Sequence, residues 1–439
     1  MQEIPQKRER VLLVYVYKDN EDVKYILDEL TGLVESAGGE VVDTVIQKRN
    51  GIDPQTVLGS GKLEEVARYA ENLDIDAVIF ENELTPSQIA AIDEIIDCKV
   101  IDRTTLILDI FASRAKSAEG KLQVELAQMK YNLPRLIGSR KNLSRLGGGI
   151  GTRGPGETKL ETDKRHIRKR ISVLESRIDE IEKTRANHRK KREKNEIPCV
   201  ALVGYTNAGK SSLLNALTCS DVYVADRLFA TLDPSARKLV FDNGSFAVIT
   251  DTVGFIRNIP TDLIASFRST LEEALHADLI LNVCDVSDAN HEAHCSVTLR
   301  TLEELGVTAP VVTVYNKCDL LPRTSLERYF SSGKLLVSAR TGEGFVNLKK
   351  RIETALFGES VNCRLVIPYT DGKALASLRK NAVILRTEIL DDRIAYDCVI
   401  SEKLLREYSA YLDAPRKKIF SPPSETNPAH FPQLSLIHI

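Results

Sequence analysis

The stretch CVALVGYTNAGKSSLLNAL, residues 199–217, decides the fold of the central part of the chain. An apolar strand ends at Gly204, the pattern G-x-x-x-x-G-K-S follows, and a helix is expected to begin at Lys210. Glycines let the backbone fold tightly enough for successive N–H groups to point at phosphate oxygens, and a helix N-terminus adds partial positive charge. The stretch therefore predicts a phosphate-binding loop between a buried strand and a helix.

Two residues at the end of this loop have defined tasks in such a site. Lys210 is expected to reach the β- and γ-phosphates of a nucleotide, and the hydroxyl of Ser211 is expected to hold Mg²⁺. The remaining loop residues predicted to contact the nucleotide are Gly204, Tyr205, Thr206, Asn207, Ala208 and Gly209.

The identity of the base is predicted by VVTVYNKCDLL, residues 311–321, an apolar strand that ends in N-K-x-D. The carboxylate of Asp319 can accept hydrogen bonds from N1–H and the 2-amino group of guanine, whereas adenine offers neither donor. A site of this kind discriminates by roughly 10⁴ or more. The strand LLVSAR, 335–340, ends in a small turn whose backbone can meet the guanine carbonyl. The residues predicted around the base are Asn316, Lys317, Cys318, Asp319, Ser338, Ala339 and Arg340.

Two further segments are predicted to respond to the γ-phosphate. In FAVITDTVGF, residues 246–255, Asp251 would hold Mg²⁺ through water and Gly254 would contact the γ-phosphate, while Thr231 has the spacing of the threonine that closes on Mg²⁺. The predicted magnesium ligands are Ser211, Thr231 and Asp251, and the predicted catalytic residues are Lys210, Thr231 and Gly254. Nucleotide contacts in these segments are predicted at Phe229, Ala230, Thr231, Leu232, Asp233, Asp251, Thr252, Val253 and Gly254.

One position departs from many small GTPases. They have a water-orienting glutamine directly after D-x-x-G, but here the residue is Phe255. Because an apolar side chain cannot polarise water, hydrolysis of GTP without a partner should be slow, on the order of 10⁻³ s⁻¹ or less. Which group orients the attacking water does not follow from the sequence.

Outside this region the sequence predicts three more structural parts. Strands and helices alternate over the first hundred residues, and two segments with heptad-spaced apolar residues then predict an antiparallel helical hairpin, followed by a charged linker at 190–196. The heptad residues are Leu122, Leu126, Met129 and Leu133, and then Ile167, Ile171, Leu174, Ile178 and Ile181. The fold class is α/β. The predicted parts are a small α/β domain at 1–103, the hairpin at 104–196 with a glycine-rich tip at 147–159, a P-loop GTPase domain with a doubly wound, mostly parallel sheet at 197–358, a small α+β module at 361–420, and an unstructured tail at 421–439 whose last residues resemble an artefact.

Composition narrows the class of protein. Among 439 residues, 43% are hydrophobic and 28% are charged, and no apolar run is long enough to span a bilayer, so we expect no membrane insertion. The eight cysteines form no C-x-x-C pair, which is typical of a cytoplasmic protein without disulfides. HEAHC, 291–295, is one residue short of the zinc-binding pattern H-E-x-x-H and is expected to be ordinary helix surface.

The run LGGGIGTRGPGETKLETDKR, residues 146–165, together with the hairpin and the nucleotide motifs, resembles the HflX family of ribosome-associated GTPases. The resemblance covers nearly the whole chain. It implies a GTPase that binds the large ribosomal subunit and splits stalled or idle ribosomes, and we expect the protein to be a monomer. A basic hairpin is also the kind of element that binds phosphate-rich RNA. We therefore expect ribosomal RNA contacts at Arg135, Arg140, Lys141, Arg145, Arg153, Lys159, Lys164, Arg165 and Arg168.

Two other functions are compatible with the same motifs. The hairpin could dock a protein partner, or the N-terminal domain could support ATP-dependent RNA remodelling. Pull-downs with and without RNase separate the first alternative from ribosome binding, and a comparison of GTP with ATP affinity addresses the second.

Overall fold

The computed structural model describes residues 8–135, 155–194, 197–218, 228–229, 235–241, 245–258 and 273–413. The predicted tail at 421–439 and most of the predicted glycine-rich tip lie outside these ranges. So do several predicted site residues: Ala230, Thr231, Leu232, Asp233, Arg140, Lys141, Arg145 and Arg153. Lys159 lies in a described helix, but its side chain is outside the description. The chain forms two compact units, one of residues 1–240 and 246–349 and the other of residues 241–245 and 350–439.

The first sheet of the larger unit has four strands, all parallel, in the order β2-β1-β3-β4. Its elements, which form the N-terminal subdomain (residues 8–114), are β1 Arg10–Tyr17, α1 Val23–Ala37, β2 Glu40–Lys48, α2 Ser60–Asn72, β3 Ala77–Phe80, α3 Pro86–Ile92, β4 Lys99–Asp102 and α4 Arg103–Arg114. Six consecutive residues of β1, VLLVYV, are buried, because helices cover both faces of a parallel sheet. Leu12 and Val14 pack on one face, and Val11 and Leu13 pack on the other.

Local capping signals account for the start of α3. Thr85 accepts from the backbone N–H of Gln88, and the Gln88 side chain accepts from the Thr85 N–H, which completes a capping box in front of Pro86. The helix ends at Ile92.

Two further helices, α5 Ala118–Asn132 and α6 Pro155–Lys194, pack against each other. Their contact contains six of the predicted heptad residues: Leu122, Leu126, Met129, Ile171, Leu174 and Ile178. Ion pairs join Glu119 to Arg185 at 2.8 Å and Lys130 to Glu175 at 2.8 Å, so the two helices run in opposite directions, as predicted.

The bounds of α6 differ from the prediction at both ends. The helix begins at Pro155, inside the predicted tip, because proline at the first helical position needs no N–H partner and has its φ already set for a helix. It continues to Lys194 through the stretch predicted as a charged linker. Lys, Arg and Glu are good helix formers, and the next proline is Pro198, so nothing in that stretch ends the helix earlier.

The second sheet of the larger unit has six strands in the order β10-β9-β8-β5-β7-β6. All neighbouring strands are parallel except β6 and β7, which confirms the mostly parallel sheet. Its described strands and helices are β5 Cys199–Gly204, α7 Lys210–Thr218, β6 Ser235–Val240, β7 Phe246–Asp251, β8 Leu279–Asp285, α8 His291–Glu304, β9 Val311–Asn316, α9 Arg323–Ser331, β10 Leu335–Leu336 and α10 Phe345–Phe357.

The smaller unit contains an antiparallel three-stranded sheet in the order β11-β13-β12. The elements are β11 Ser360–Pro368, α11 Gly372–Asn381, β12 Val383–Ile389, β13 Arg393–Ser401 and α12 Glu402–Glu407. Leu365, Tyr396 and Leu378 are buried together in its core. This is the α+β arrangement that the sequence predicts.

Among the residues that the structure describes, no helix is both long and apolar enough to cross a membrane. The cysteines in the same part of the chain are all free thiols.

Candidate nucleotide-binding site

The phosphate-binding loop lies where the sequence places it, between the end of β5 at Gly204 and the start of α7 at Lys210. Gly209 has a φ of +87°, and a Cβ added there would lie 2.3 Å from Nδ2 of Asn316. Only glycine fits at this point, because a larger residue would meet both strain and a clash. The loop is therefore shaped by its own glycine and by an asparagine more than a hundred residues later in the chain.

Lys210 and Gly254, two of the predicted catalytic residues, lie next to each other. Nζ of Lys210 donates to the carbonyl oxygens of Gly204 at 3.1 Å and Tyr205 at 2.9 Å. A Cβ added to Gly254 would lie 2.8 Å from Cα of Thr206 and 3.0 Å from Nζ of Lys210, so the backbone approaches the loop as closely as glycine allows. Burial lowers the pKa of Lys210 to about 8, and the charge of Asp251 opposes that shift.

Two of the three predicted magnesium ligands are also in contact. Oγ of Ser211 donates to Oδ2 of Asp251 at 2.6 Å, and Asp251 is fully buried at the end of β7. A hydroxyl and a carboxylate side by side are hard oxygen donors of the type that Mg²⁺ prefers. The residues present therefore fit this ion. Thr231, the third predicted ligand, lies outside the described residues.

Asn316 joins the phosphate-binding loop to the segments predicted around the base. Its Nδ2 donates to the carbonyl oxygen of Ala208 at 2.9 Å, and its Oδ1 accepts from the N–H of Ala339 at 3.0 Å. Nearby, Oδ1 of Asp319 accepts from the hydroxyl of Ser338 at 2.7 Å, which fixes the carboxylate. The N-K-x-D motif at 316–319 and the turn at 338–340, both predicted to contact the base, are thus joined by hydrogen bonds.

Lys317 takes a left-handed backbone conformation with φ of +64°, and its Nζ pairs with Asp285 at 2.6 Å. This ion pair connects the end of β9 to the end of β8, the neighbouring strand.

Several predicted nucleotide contacts have side chains that serve the protein interior instead. The side chains of Phe229, Val253 and Cys318 are buried in apolar clusters, and the Thr252 hydroxyl donates to the carbonyl of Leu202 at 2.7 Å. Any nucleotide contact from these residues has to come from the backbone. Asn207 and Arg340, in contrast, are exposed.

Phe229 is the clearest difference from the prediction. Only 2% of the residue is exposed, and its ring packs edge-on against Phe111 of α4, with centroids 4.7 Å apart. Its N–H donates to the hydroxyl of Thr206 at 2.8 Å. The side chain therefore packs in the apolar cluster around Phe111, where its apolar bulk is removed from water, and a nucleotide contact at this position would come from the backbone.

The side chain of Phe255 belongs to the apolar core of the larger unit. Its side chain is 2% exposed and packs with Val203, Ile280 and Leu302 in the core of the second sheet. Its backbone holds the loop instead, because the Phe255 carbonyl accepts from the N–H of Thr206 at 2.7 Å. The expectation that this side chain supplies no catalytic dipole agrees with its burial.

A buried ring of four charged side chains lies beside the loop, and the sequence patterns did not reveal it. Arg103 donates to Oε1 of Glu29 at 2.6 Å and to Oε1 of Glu81 at 3.0 Å. Arg257 contacts the same two oxygens at 3.3 Å and 2.8 Å. Burial raises the pKa of Glu81, and the charges of Arg103 and Arg257 oppose that shift.

The loop residue Tyr205 contacts this ring. Its hydroxyl donates to Glu29 and accepts from the N–H of Arg257 at 3.0 Å. The Tyr205 ring stacks on His294 with centroids 3.9 Å apart, and Nε2 of His294 lies 2.8 Å from the hydroxyl of Tyr25 in α1. The expectation that HEAHC is helix surface is wrong for His294, which is 8% exposed, because stacking on the loop buries it.

The basic residues predicted to contact RNA fall into different surroundings. Arg165 and Arg168 are exposed on α6, and Lys164 is half-buried. Arg135 is committed to internal contacts: its guanidinium lies 3.4 Å from the ring centroid of Tyr131 and 3.0 Å from Oδ2 of Asp102. We therefore leave Arg135 out of any surface for RNA.

The phosphate-binding loop is connected through the buried side chain of Asn316 to the turn at Ala339, next to Asp319. One region of the protein can thus contact the phosphates of a guanine nucleotide while the other contacts its base. The fold and the site thus define a P-loop GTPase.

Comparison with known proteins agrees with this class and narrows it. Residues 24–112 match a family model described as GTP-binding GTPase N-terminal, residues 114–192 match GTP-binding GTPase middle region, and residues 199–317 match 50S ribosome-binding GTPase.

Whole-chain relatives point to one family. The chain is 46% identical over 409 residues to the GTPase HflX of Caldanaerobacter subterraneus subsp. tengcongensis, which covers 92% of this chain and 95% of that protein. It is 41% identical over 374 residues to the GTPase HflX of Escherichia coli K12, covering 83% of this chain and 87% of that protein. A solved structure of a GTP-binding protein from Sulfolobus solfataricus in complex with GDP is 24% identical, with a TM-score of 0.41, and the match covers 79% of this chain and 98% of that chain. The chain belongs to the HflX family of GTPases, and it binds GTP and hydrolyses it.

Proposed function

We propose that the residues brought together around the loop bind Mg²⁺–GTP. Lys210 contacts the β- and γ-phosphates, Gly254 contacts the γ-phosphate, Ser211 and Asp251 hold Mg²⁺, and Asp319 accepts from guanine. The support is their mutual geometry, above all the 2.6 Å contact between Ser211 and Asp251. When bound, Mg²⁺ neutralises charge that develops on the phosphates. Thr231 remains a further proposed ligand.

The burial of Phe255 supports slow hydrolysis in the absence of a partner. No side chain at that position can orient the attacking water, so the protein would remain in its GTP-bound state until another group is supplied. A partner that supplies this group would then set the lifetime of the GTP-bound state.

We also propose that the partner is the large ribosomal subunit and that the GTP-bound protein splits stalled or idle ribosomes. The observation that carries this proposal is the pair of exposed basic residues Arg165 and Arg168 on α6, in a chain whose residues 199–317 match a family model described as 50S ribosome-binding GTPase. The helix begins 15 residues before Arg170, which pairs with Glu125 of α5 at 2.7 Å, and at 1.5 Å per residue this part is roughly 22 Å long.

Arg165 and Arg168 on this part of α6 can neutralise RNA phosphates. The glycine-rich segment that precedes Pro155 would then be carried into ribosomal RNA. Acting on ribosomes, the protein would work in the cytoplasm, and a monomer suffices for this mechanism.

Sedimentation with 70S ribosomes and with isolated 50S subunits tests the proposal. We expect the protein to co-sediment with 50S subunits in the presence of a non-hydrolysable GTP analogue. With GDP, co-sedimentation should be weaker. Replacing both Arg165 and Arg168 with alanine should reduce binding, whereas Arg68→Ala with Arg323→Ala, the same change in net charge at exposed positions elsewhere, should not. Equal co-sedimentation of the parent and both double variants would count against RNA recognition by α6. Binding to ribosomal proteins that survives RNase treatment would count against it as well.

A further inference from the structure

Two consecutive residues of the phosphate-binding loop are linked to the N-terminal subdomain, Tyr205 directly and Thr206 through Phe229. The hydroxyl of Tyr205 donates to Glu29 of α1. The hydroxyl of Thr206 accepts from the N–H of Phe229, whose ring is anchored against Phe111 of α4. The loop that receives the phosphates therefore has its position set in part by side chains that lie outside the second sheet.

The charge ring also connects the N-terminal subdomain to the segment that follows β7. Within the N-terminal subdomain, the two carboxylates of Glu29 and Glu81 face the single guanidinium of Arg103, and all three side chains are about 95% buried. Arg257, which is 18% exposed, supplies the missing positive charge from the segment that follows β7. Because an unbalanced buried charge is strongly destabilising, the ring favours the position of Arg257 seen here.

Arg257 is also close in sequence to the γ-phosphate motif. It follows Gly254 by three residues, and its N–H donates to the hydroxyl of Tyr205 at 3.0 Å. With Arg257 held in this way, Gly254 lies beside Thr206 and Lys210. In GTPases this segment is ordered by the γ-phosphate and released when GTP is hydrolysed.

We propose that Glu29 is a positioning residue for the nucleotide site: through Tyr205 and Arg257 it holds the Gly254 segment ready for the γ-phosphate and so favours GTP over GDP. This inference rests on the proposed contact between Gly254 and the γ-phosphate. A segment that is already ordered loses less entropy when GTP binds, whereas GDP gains nothing from that order. Removing the link should therefore weaken GTP binding more than GDP binding.

Tyr205→Phe is the sharpest test, because it removes the hydroxyl and leaves a ring that can stack on His294. A matched control is Tyr15→Phe, since the Tyr15 hydroxyl donates to Glu21 at 2.5 Å in a similar tyrosine–glutamate pair that does not contact the loop. Glu29→Gln and the double variant Glu29→Gln with Tyr205→Phe complete a double-mutant cycle. Affinities for GDP and a non-hydrolysable GTP analogue are measured with Mg²⁺ in the full chain, together with the kcat and KM of GTP hydrolysis and the thermal midpoint.

The expected result is a loss of about fivefold or more in the preference for the GTP analogue over GDP, the size of a typical coupling between sites. Tyr205→Phe and Glu29→Gln should each cause it, the double variant should add little, and Tyr15→Phe should leave the preference within twofold of the parent. Variants that lose thermal stability but keep the parent's preference would show that the ring is only structural and would overturn the inference. A parent chain that shows no Mg²⁺-dependent GTP binding would instead refute the proposed site.

Discussion

The side chain of Asn316 spans the gap between two loops by donating to the carbonyl oxygen of Ala208 while accepting from the N–H of Ala339. It is 1% exposed, so water cannot replace it. Asn316→Ala would leave the buried carbonyl of Ala208 and the partly buried N–H of Ala339 without these partners, and an unsatisfied buried group costs about 1–3 kcal/mol. We expect both GTP and GDP affinity to fall at least tenfold in a fluorescence titration.

Asn282→Ala is the control for that variant. Asn282 is equally buried, but its Nδ2 contacts Sγ of Cys295 and neither loop. It should lower stability in chemical denaturation while nucleotide affinity stays near that of the parent. Similar affinity losses in both variants would mean that Asn316 acts through general stability alone.

Asp319→Asn should exchange guanine for xanthine as the preferred base. The amide can donate to the 2-oxo group of xanthine, whereas it no longer accepts from both guanine donors. Ser338 remains beside position 319 and can hold the new side chain in place. Titration with fluorescent GTP and XTP analogues checks this exchange, and unchanged GTP binding would remove Asp319 from the base site.

Ser211→Ala should make nucleotide binding insensitive to magnesium. The Ser211 hydroxyl contacts Asp251 and not an apolar core, so the fold should tolerate its loss. We expect GTP affinity in Mg²⁺ to drop toward the value measured in EDTA, where parent and variant should agree. Ser212→Ala, the same change at the next residue, should behave like the parent. A strong magnesium effect that survives in Ser211→Ala would place the ion elsewhere.

Phe229→Ala should act on stability, because the ring is buried against Phe111. Removing a fully buried phenylalanine costs about 3–5 kcal/mol of unfolding free energy. Urea unfolding measures this loss, and Phe80→Ala, at a similarly buried position in β3, gives the scale for a ring with no link to the loop. A variant of parental stability with weakened GTP binding would restore Phe229 as a direct nucleotide contact.

Replacing residues 148–154 with a short Gly-Ser turn should abolish ribosome splitting and leave GTP affinity unchanged. The change stops before Pro155, so the start of α6 is preserved. Light scattering of 70S ribosomes follows splitting. Splitting at the parental rate in this variant would reduce the segment to a connector.

The sequence predicts the nucleotide motifs well because their chemistry is local. Gly204, Lys210 and Ser211 lie within one loop, and the requirement for a strand before it and a helix after it is readable in the apolar pattern. The start of α6 differs from the prediction because five glycines precede Pro155 and one follows it, a composition that favours a loop, whereas Pro155 itself favours the first position of a helix.

The charge ring could not be predicted from the sequence, for a different reason. Glu29, Glu81, Arg103 and Arg257 lie in separate segments, and each alone is an ordinary charged residue in a chain that is 28% charged. Their pairing is a product of tertiary contacts across up to 228 positions. His294 was misjudged for the same reason, because the ring that buries it belongs to Tyr205.

The position of Arg257 bears on how this protein can be divided for study. A fragment that stops before the second sheet would keep both acids and lose one of the two bases that balance them. Such a fragment would either take up a proton or rearrange around Glu29 and Glu81. Any ATP or RNA binding measured on the isolated N-terminal fragment would then be a property of this altered fragment and not of the intact protein. The N-terminal subdomain is thus less independent than the boundaries of the family models, which end at residue 112 and begin again at residue 199, would suggest. Experiments on this subdomain therefore call for the intact chain.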